Sequence, residues 1–322
     1  MNEQPSVSIV MATRNRPQFA AKALASIAEQ TLQDLEVIVV DDGSNGDTLE
    51  QLRTLMGRFD GRFRLLTPLQ AGTSGSGPST ARNRGIDKAT GRFVAFLDDD
   101  DTWIWPEYLE TAVGALEATG LDFFFADMEG YRGDALVWDT WRLDKKSLTS
   151  GDRLASVAAD AYVIDRARVF ETLRARIVHL NTLVLRRSLV QAAGPFLKWL
   201  YYAEDHEFVV RQADRIDRAV FAPQVAARYR FPEGDSTSLT LTTLDQHLQH
   251  ISGAQRLRVT AQSAELKSAA RRDESWHLRM ASAELRRLGR RADARSLALR
   301  AFVVRPSLGN LLHVAKTVTP WA

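Results

Sequence analysis

Arg92 to Pro106 read RFVAFLDDDDTWIWP, a short apolar run followed by four consecutive carboxylates. The run Arg92 to Leu97 favours β structure and follows Gly91, which predicts a buried strand that ends at the surface. Strand formation does not call for Asp98, Asp99, Asp100 and Asp101, because aspartate is a poor strand former and adjacent like charges repel. The cluster costs stability unless a cation offsets it. Hard divalent ions such as Mg2+ and Mn2+ take oxygen ligands, and Mg2+ is usually held by one or two carboxylates together with substrate phosphates. In outline this is a nucleoside-diphosphate site at the carboxyl end of a central strand. The competing reading is a solvated acidic turn that caps a helix beginning near Trp105.

A chain of 322 residues with 45% hydrophobic content can bury a full core and has room for a large domain and a smaller one. It contains no cysteine, so neither disulfides nor thiolate metal sites contribute. The start, MNEQPSVSIV, does not read as a secretory leader, and no segment reaches the roughly 18 apolar residues of a membrane span, so a cytoplasmic protein is expected. A formal charge of +2 makes no case for nucleic acid as a partner. The charge is unevenly spread: acids gather at Asp41, Asp42 and Asp98 to Asp101, and arginines across Arg256 to Arg305.

Val7 to Met11 reads as a strand, Ala12 to Pro17 (ATRNRP) as a loop entering a helix, and Leu35 to Val40 as a second strand. That βαβ unit predicts a parallel sheet covered on both faces. Ligands of such sheets bind beyond the carboxyl ends of the strands, which places the Thr13 to Arg16 loop beside Asp41 and Asp42. The pair either contacts a ligand or caps a helix over Thr48 to Met56. The first turn lacks G-x-G-x-x-G, which argues against a dinucleotide oxidoreductase. Arg62 to Leu66 supplies a third strand, Gln70 to Thr80 a loop rich in Gly and Ser, and Ala81 to Gly85 the opening of the next helix. There Arg82 either reaches a diphosphate or is solvated, and Arg84 has the same alternatives.

The series VSIVMATRNRP, VIVVDDGS and STARNRGIDKATGRFVAFLDDDDTW resembles the nucleotide-binding half of the family 2 glycosyltransferases. The resemblance implies the GT-A fold, a Rossmann-like and mostly parallel α/β sheet flanked by helices. It implies a nucleotide-sugar donor, with UDP foremost, a divalent Mn2+ or Mg2+, and inversion at the anomeric carbon. Ala12, Thr13, Arg16, Asp41, Asp42, Arg82, Asp98 and Asp99 then form the donor-binding set, and Asp100 and Asp101 the metal set. Asp98 and Asp100 fall on the D-x-D positions. The chain departs from many members at Ala12 and Arg14, where they read Pro and Tyr.

Phe123 to Met128 predicts another strand, Gly130 to Asp165 is irregular in pattern, and Arg176 to Arg187 reads as a strand running into a helix. Trp138 and Trp141 are expected to pack rather than to stack on sugar, and His179 and Asn181 face either an acceptor or the core. In Trp199 to Arg211 (WLYYAEDHEFVVR), Glu204, Asp205 and Glu207 interrupt an amphipathic pattern. An inverting transfer needs a general base to take the acceptor hydroxyl proton. The resemblance puts that base in an E-D pair ahead of a helix ending in Arg, here Glu204, Asp205 and Arg211, and Asp205 is the expected catalytic residue. The alternative is an N-cap for a helix over Glu207 to Ala213.

Val220 to Arg230 reads as the last strand, and Phe231 to Thr243 as a boundary or a loop over the donor. The expected division is a catalytic domain over 1–232, split near 105 into donor and acceptor halves, and a helical region over 233–322. Leu278 to Pro306 resembles one tetratricopeptide unit through Gly289, Ala294, Ala301 and Pro306. The expected partners are the nucleotide-sugar donor and a sugar, lipid-linked sugar or protein acceptor. The basic helices are expected to meet a membrane surface or a protein. Two other readings are a non-catalytic sugar-nucleotide sensor or scaffold, and a nucleotidyltransferase.

Overall fold

The computed structural model describes residues 4–68, 75–141, 143–157, 159–174, 178–231 and 241–318. The loop expected over Gln70 to Thr80 lies outside them as far as residue 74, the boundary stretch Phe231 to Thr243 from 232 to 240, and the strand expected from Arg176 at 176 and 177. The chain divides into two compact units, Met1–Lys198 with Phe208–Phe231, and Trp199–Glu207 with Pro232–Ala322.

The first unit opens with β1 (Val7–Thr13), α1 (Pro17–Ala28), β2 (Leu35–Asp41), α2 (Gly46–Met56), β3 (Phe63–Leu66), α3 (Pro78–Lys88) and β4 (Phe93–Phe96). Pro17 starts α1 because its missing N–H is unpaired at that position anyway. β1 runs on through Ala12 and Thr13, which read as loop in the sequence; seven register pairs with β2 hold them in the ladder. The cap of α2 falls to Asn45, whose side chain accepts from Thr48 N at 2.9 Å, and not to Asp41 or Asp42. α3 begins at Pro78, three residues before the expected Ala81. It lies so close to β1 that a Cβ at Gly85 would stand 2.4 Å from Val10 Cγ1, so glycine is needed there.

The unit continues with β5 (Thr102–Trp103), α4 (Tyr108–Thr119), β6 (Phe123–Arg132), β7 (Ala135–Trp138), α5 (Lys145–Leu148), β8 (Asp152–Arg153), β9 (Tyr162–Asp165) and α6 (Arg166–Arg174). A 3-10 turn over Leu180–Thr182 leads into β10 (Leu183–Arg186) and α7 (Arg187–Ala193). α8 (Glu204–Ala213) and β11 (Arg218–Arg230) follow. Two local expectations fail. The helix expected near Trp105 starts at Tyr108, because Thr102 and Trp103 pair with Arg228 and Ala227 as a short strand. The stretch Gly130 to Asp165, irregular in pattern, holds β7, α5, β8 and β9, elements too short to show a period.

The strands join in the order β3, β2, β1, β4, β10, β6, β11, β9, β8, with β5 beside β11 and β7 beside β6. The half from β3 to β4 is parallel throughout, as is the β6–β11 pair; β10 is antiparallel to both its neighbours. On one face Ile9, Met11, Val37, Val39, Phe93 and Ala95 pack with α1, α2 and α4. On the other, Phe96 meets the stacked rings of Phe196 and Phe208, 3.9 Å apart. Both faces are covered, as the continuous apolar strands require.

The second unit carries α9 (Thr243–Thr260), α10 (Ala264–Arg287), α11 (Arg291–Val304) and α12 (Leu308–Val318). Gly289, at φ 76°, makes the turn between α10 and α11. Ala294, Ala298 and Ala301 are fully buried on α11, and Ser282 and Ser275 of α10 donate to the carbonyls of Ala294 (2.7 Å) and Ala301 (3.1 Å). Small side chains let the two helices approach closely enough for those contacts.

Tyr108 is the largest fully buried side chain, set among Trp103, Trp105 and Phe124, and its hydroxyl has no hydrogen-bond partner among the described residues. An unmet buried hydroxyl costs about 1–3 kcal/mol. Tyr108→Phe is therefore expected to raise the urea midpoint, with a gain of about 1 kcal/mol or more; an unchanged or lower midpoint shows that the hydroxyl is satisfied in solution.

Candidate active site

The carboxyl ends of β1, β2 and β4 meet at one edge of the sheet, where Thr13 stands opposite Asp41 and Leu97 N donates to Val10 O at 3.3 Å. Asp98 to Asp101 turn away from β4 in a tight loop closed by Asp101 N donating to Asp98 O at 3.2 Å. Within that loop each carboxylate has its own partners. Asp98 takes the guanidinium of Arg82 at 2.6 Å. Asp99, buried, accepts from Thr13 Oγ1 at 2.7 Å and lies 3.5 Å from Arg16. Asp100 pairs with Arg16 at 3.0 Å. Asp101, also buried, accepts from the side-chain amide of Asn181 and from Arg230 N at 2.7 Å.

Burial works against all four charges. Asp98 is nevertheless held below the usual carboxylate range, because Arg82, then His179 and Arg16, outweigh its desolvation. Asp99 is pushed up to about 7 by burial and the neighbouring Asp100. Asp100 is raised by burial and Asp98, and Asp101 well above the usual value by burial and then Asp100 and Asp98. Among the described residues Arg16, Arg82 and Arg230 act on this loop, and three of its four carboxyls are raised even so. The donor set of Asp98, Asp101 and His179, whose ligand atoms lie within 4.8 Å of one another, suits a divalent cation that would offset their charge.

Of the expected donor-binding residues, the structure gathers Thr13, Arg16, Arg82, Asp98 and Asp99 around this loop. Ala12 closes β1 beside Val40 of β2. Asp41 is fully buried and accepts from Ser44 N at 3.2 Å within its own turn. Asp42 accepts from Ser76 N and Gly77 N, both at 2.8 Å, and from Ser76 Oγ at 2.6 Å, so it ties the end of β2 to the start of α3. Arg84 donates to Thr67 O at 2.6 Å, a backbone contact of neither expected kind.

Asp205 belongs to the second compact unit. α8 starts at Glu204, so Asp205 is its second residue rather than the cap of a helix from Glu207, and its Oδ1 accepts from His206 N at 2.7 Å. Arg211 near the other end of α8 donates to the carbonyls of Ala193, Gly194 and Pro195 at 2.6–2.8 Å and so fixes the segment after α7.

His179 and Asn181, left undecided between acceptor and core, both serve the acid loop. Asn181 Oδ1 accepts from Asp98 N at 3.0 Å while its amide holds Asp101, and its own carbonyl accepts from Trp103 Nε1 at 2.8 Å. Trp138 and Trp141 pack edge to face, 5.0 Å apart, with Tyr229 and Phe231, and Trp141 touches the His179 ring. Asp127 was missed altogether. It is fully buried on β6, paired with Lys145 at 2.7 Å and bonded to Thr140 at 2.6 Å; the signal was a lone acid inside FFFADM.

A parallel half-sheet ending in an acidic loop along its carboxyl edge, joined to a mixed half, is the GT-A class of glycosyltransferase fold. Residues 8–163 match the family described as Glycosyl transferase family 2, and that segment of the chain belongs to it. An Escherichia coli relative, the UDP-Glc:alpha-D-GlcNAc-diphosphoundecaprenol beta-1,3-glucosyltransferase WfgD, is 31% identical over 41% of this chain and 49% of its own. A Campylobacter jejuni relative, the GalNAc(5)-diNAcBac-PP-undecaprenol beta-1,3-glucosyltransferase, is 39% identical over 30% of each chain. The chain thus spans less than two thirds of the curated relatives it matches. In fold it is similar to S. aureus TarS 1-349 in complex with UDP-GlcNAc, with TM-score 0.63, 18% identity, and coverage of 97% of this chain and 79% of that one. The Pyrobaculum calidifontis mannosyltransferase PcManGT, in complex with GDP-Man and Mn2+, matches at TM-score 0.59 and 17% identity over 98% and 80%.

Asp99 supplies a pH test. Its carboxyl is raised from 3.8 to about 7 in the folded chain, so between those values the fold keeps a proton that the unfolded chain has lost. Stability in EDTA is expected to be greatest at the acid end of that window and to fall as pH rises through it; saturating Mn2+ is expected to flatten the decline. Urea midpoints across the window with and without Mn2+ read this directly, and a decline of equal steepness in both contradicts a cation role for the loop.

Proposed function

We propose that this protein is a metal-dependent, inverting glycosyltransferase that moves a sugar from a nucleoside-diphosphate donor, a UDP-sugar, to a hydroxyl of a sugar or lipid-linked sugar in polysaccharide or glycolipid synthesis. The observation that carries the proposal is the acid loop: a desolvated, under-neutralised carboxylate cluster on the carboxyl edge of a family 2 domain. Asp98, Asp101 and His179 would hold Mn2+ or Mg2+, and Asp100 would join them on leaving Arg16. The ion would offset the charge of the diphosphate as it departs. Arg82 and Arg16 already reach this loop, and guanidinium groups bind phosphate oxygens with paired, charge-assisted hydrogen bonds. Ala12, Thr13, Asp41 and Asp42 would border the base and ribose; in that role Asp42 would exchange part of its bonding to Ser76 and Gly77 for the nucleotide. UDP and lipid-linked sugars are favoured because the Escherichia coli and Campylobacter relatives are named for undecaprenol-linked substrates, and the former for UDP-Glc.

In the reaction the acceptor oxygen attacks the anomeric carbon from the side opposite the diphosphate. The new C–O bond forms as the old one breaks, the configuration inverts, and the acceptor proton passes to the base, for which we take Asp205. A base accelerates such a step by about 10²- to 10⁴-fold. Asp205→Asn removes basicity at nearly constant size, so transfer is expected to fall by that factor while UDP binding, followed by calorimetry, stays close to wild type. Asp98→Asn is expected to weaken UDP binding itself. If Asp205→Asn keeps more than about a tenth of wild-type transfer, the base lies elsewhere, with Glu204 and Glu207 the next to test.

No helix among the described residues is long and apolar enough to cross a membrane. A lipid-linked acceptor would be met at the cytoplasmic membrane surface, and α11 and α12 are suited to it. Val303, Leu308, Leu311 and Leu312 are at least half exposed beside a chain segment rich in arginine. Anionic lipid attracts each nearby basic residue by about 1 kcal/mol. Sedimentation with phosphatidylglycerol vesicles is expected to carry the protein down at low salt and less at physiological salt; no binding at either salt removes the membrane role.

A further inference from the structure

The second compact unit contains a group of imidazoles that the proposed transfer reaction does not use. His247 and His250 lie three residues apart on α9, and Asp273 and His277 four apart on α10, so each pair shares one face of its helix. His250 and His277 are buried and their rings stack at 4.1 Å, whereas Asp273 is 38% exposed at its side chain. One ligand atom from each of His250, Asp273 and His277 falls within 4.8 Å of the others.

The distance between His277 and Asp273 is that of an ion pair one helical turn apart, and it also fits a shared ion. His277 Nε2 and Asp273 Oδ1 are 3.6 Å apart, too long for an N–H···O bond. Two donors each about 2.0–2.1 Å from one tetrahedral zinc stand roughly 3.4 Å apart, close to what is found. The other nitrogen of His277 points the same way: Nδ1 lies 3.0 Å from His247 Nδ1, and one of the two must donate. If His277 donates there as a neutral ring, its Nε2 presents a lone pair toward the Asp273 carboxylate, an arrangement that a cation between them makes favourable. Metal-bound histidines typically give their second N–H to such an outer partner, which sets the tautomer. Two imidazoles with a single carboxylate suit Zn2+ and its late first-row neighbours, whereas the acid loop, with two carboxylates to one imidazole and further aspartates alongside, suits Mg2+ or Mn2+ better.

We propose that His250, Asp273 and His277 form a second metal site, for Zn2+ or a similar imidazole-preferring divalent ion, with His247 as the outer partner that orients His277. The ion clips α9 to α10, and the exposed side of Asp273 is its route from solvent.

The test uses the full-length protein without a histidine tag, equilibrated with Zn2+ in a large excess of Mg2+ so that the acid loop is occupied by the harder ion. Elemental analysis is expected to give one zinc per chain, and Zn2+ is expected to raise the melting temperature of the wild type. His250→Gln with Asp273→Asn together, and Asp273→Asn alone as a milder change at a half-exposed position, are expected to bind zinc at least tenfold more weakly. Both should melt at the same temperature with and without Zn2+. Wild-type protein that holds no stoichiometric zinc under Mg2+, or variants that retain it as tightly as wild type, overturn the proposal. The wild-type measurement alone decides the matter if the double variant fails to fold.

Discussion

Desolvation of like charges is the constraint on which the first unit turns. Four adjacent aspartates leave the end of β4, two of them, Asp99 and Asp101, buried and the other two partly so, and each charge there is costly unless paired or hydrogen-bonded. The chain answers with groups from widely separated places: Thr13 and Arg16 from the end of β1, Arg82 from α3, Asn181 from the 3-10 turn before β10, and Arg230 N from the end of β11. That set satisfies hydrogen bonds without balancing charge, and three of the four carboxyls remain above their usual range. A site left short of positive charge in this way favours a cation.

The sheet order explains why those groups converge. β10 is inserted antiparallel between β4 and β6, so the turn before it, rather than its far end, lies at the carboxyl edge of β4 and brings His179 and Asn181 to the acids. The end of β11 delivers Arg230 to the same loop, and the pairing of β5 with β11 holds Trp103 where its indole bonds Asn181. Asn181 thus ties the acid loop to the turn before β10: one side chain serves two aspartates, and its backbone anchors a tryptophan.

The two units differ in chemistry as well as in architecture. The first gathers mainly carboxylates, with one imidazole, at a strand edge, and the second mainly imidazoles, with one carboxylate, between two helices. Hard and borderline cations discriminate between those donor sets through ligand type. In the helical unit small residues and serine-to-carbonyl bonds join α10 to α11 beside an apolar core that includes Ile251 and Leu278, while Val303 and Leu308 stay at the surface.

Local pattern by itself was enough for the parallel half, because continuous apolar runs such as LEVIVV and FVAF, ended by acids, admit few readings other than buried strands meeting at a ligand edge. It was enough as well for the helical carboxyl-terminal region and for Trp138 and Trp141 as packing residues, whereas the grouping of Thr13, Arg16, Arg82, Asp98 and Asp99 was implied by the family resemblance rather than by pattern. Tertiary structure alone decided the partners. That Asp42 holds Ser76 and Gly77, and that Asn181 serves the acid loop, depend on residues distant in sequence, to which periodicity is blind; the cap of α2 by Asn45 is a local contact with Thr48 that Asp41 and Asp42 obscured. The short strands β7, β8 and β9 escaped because they are stabilised by cross-strand pairing rather than by any local repeat. Asp127 and the imidazoles of α9 and α10 each looked unremarkable in isolation, since a lone acid or histidine acquires meaning only when folding brings its partner within bonding distance.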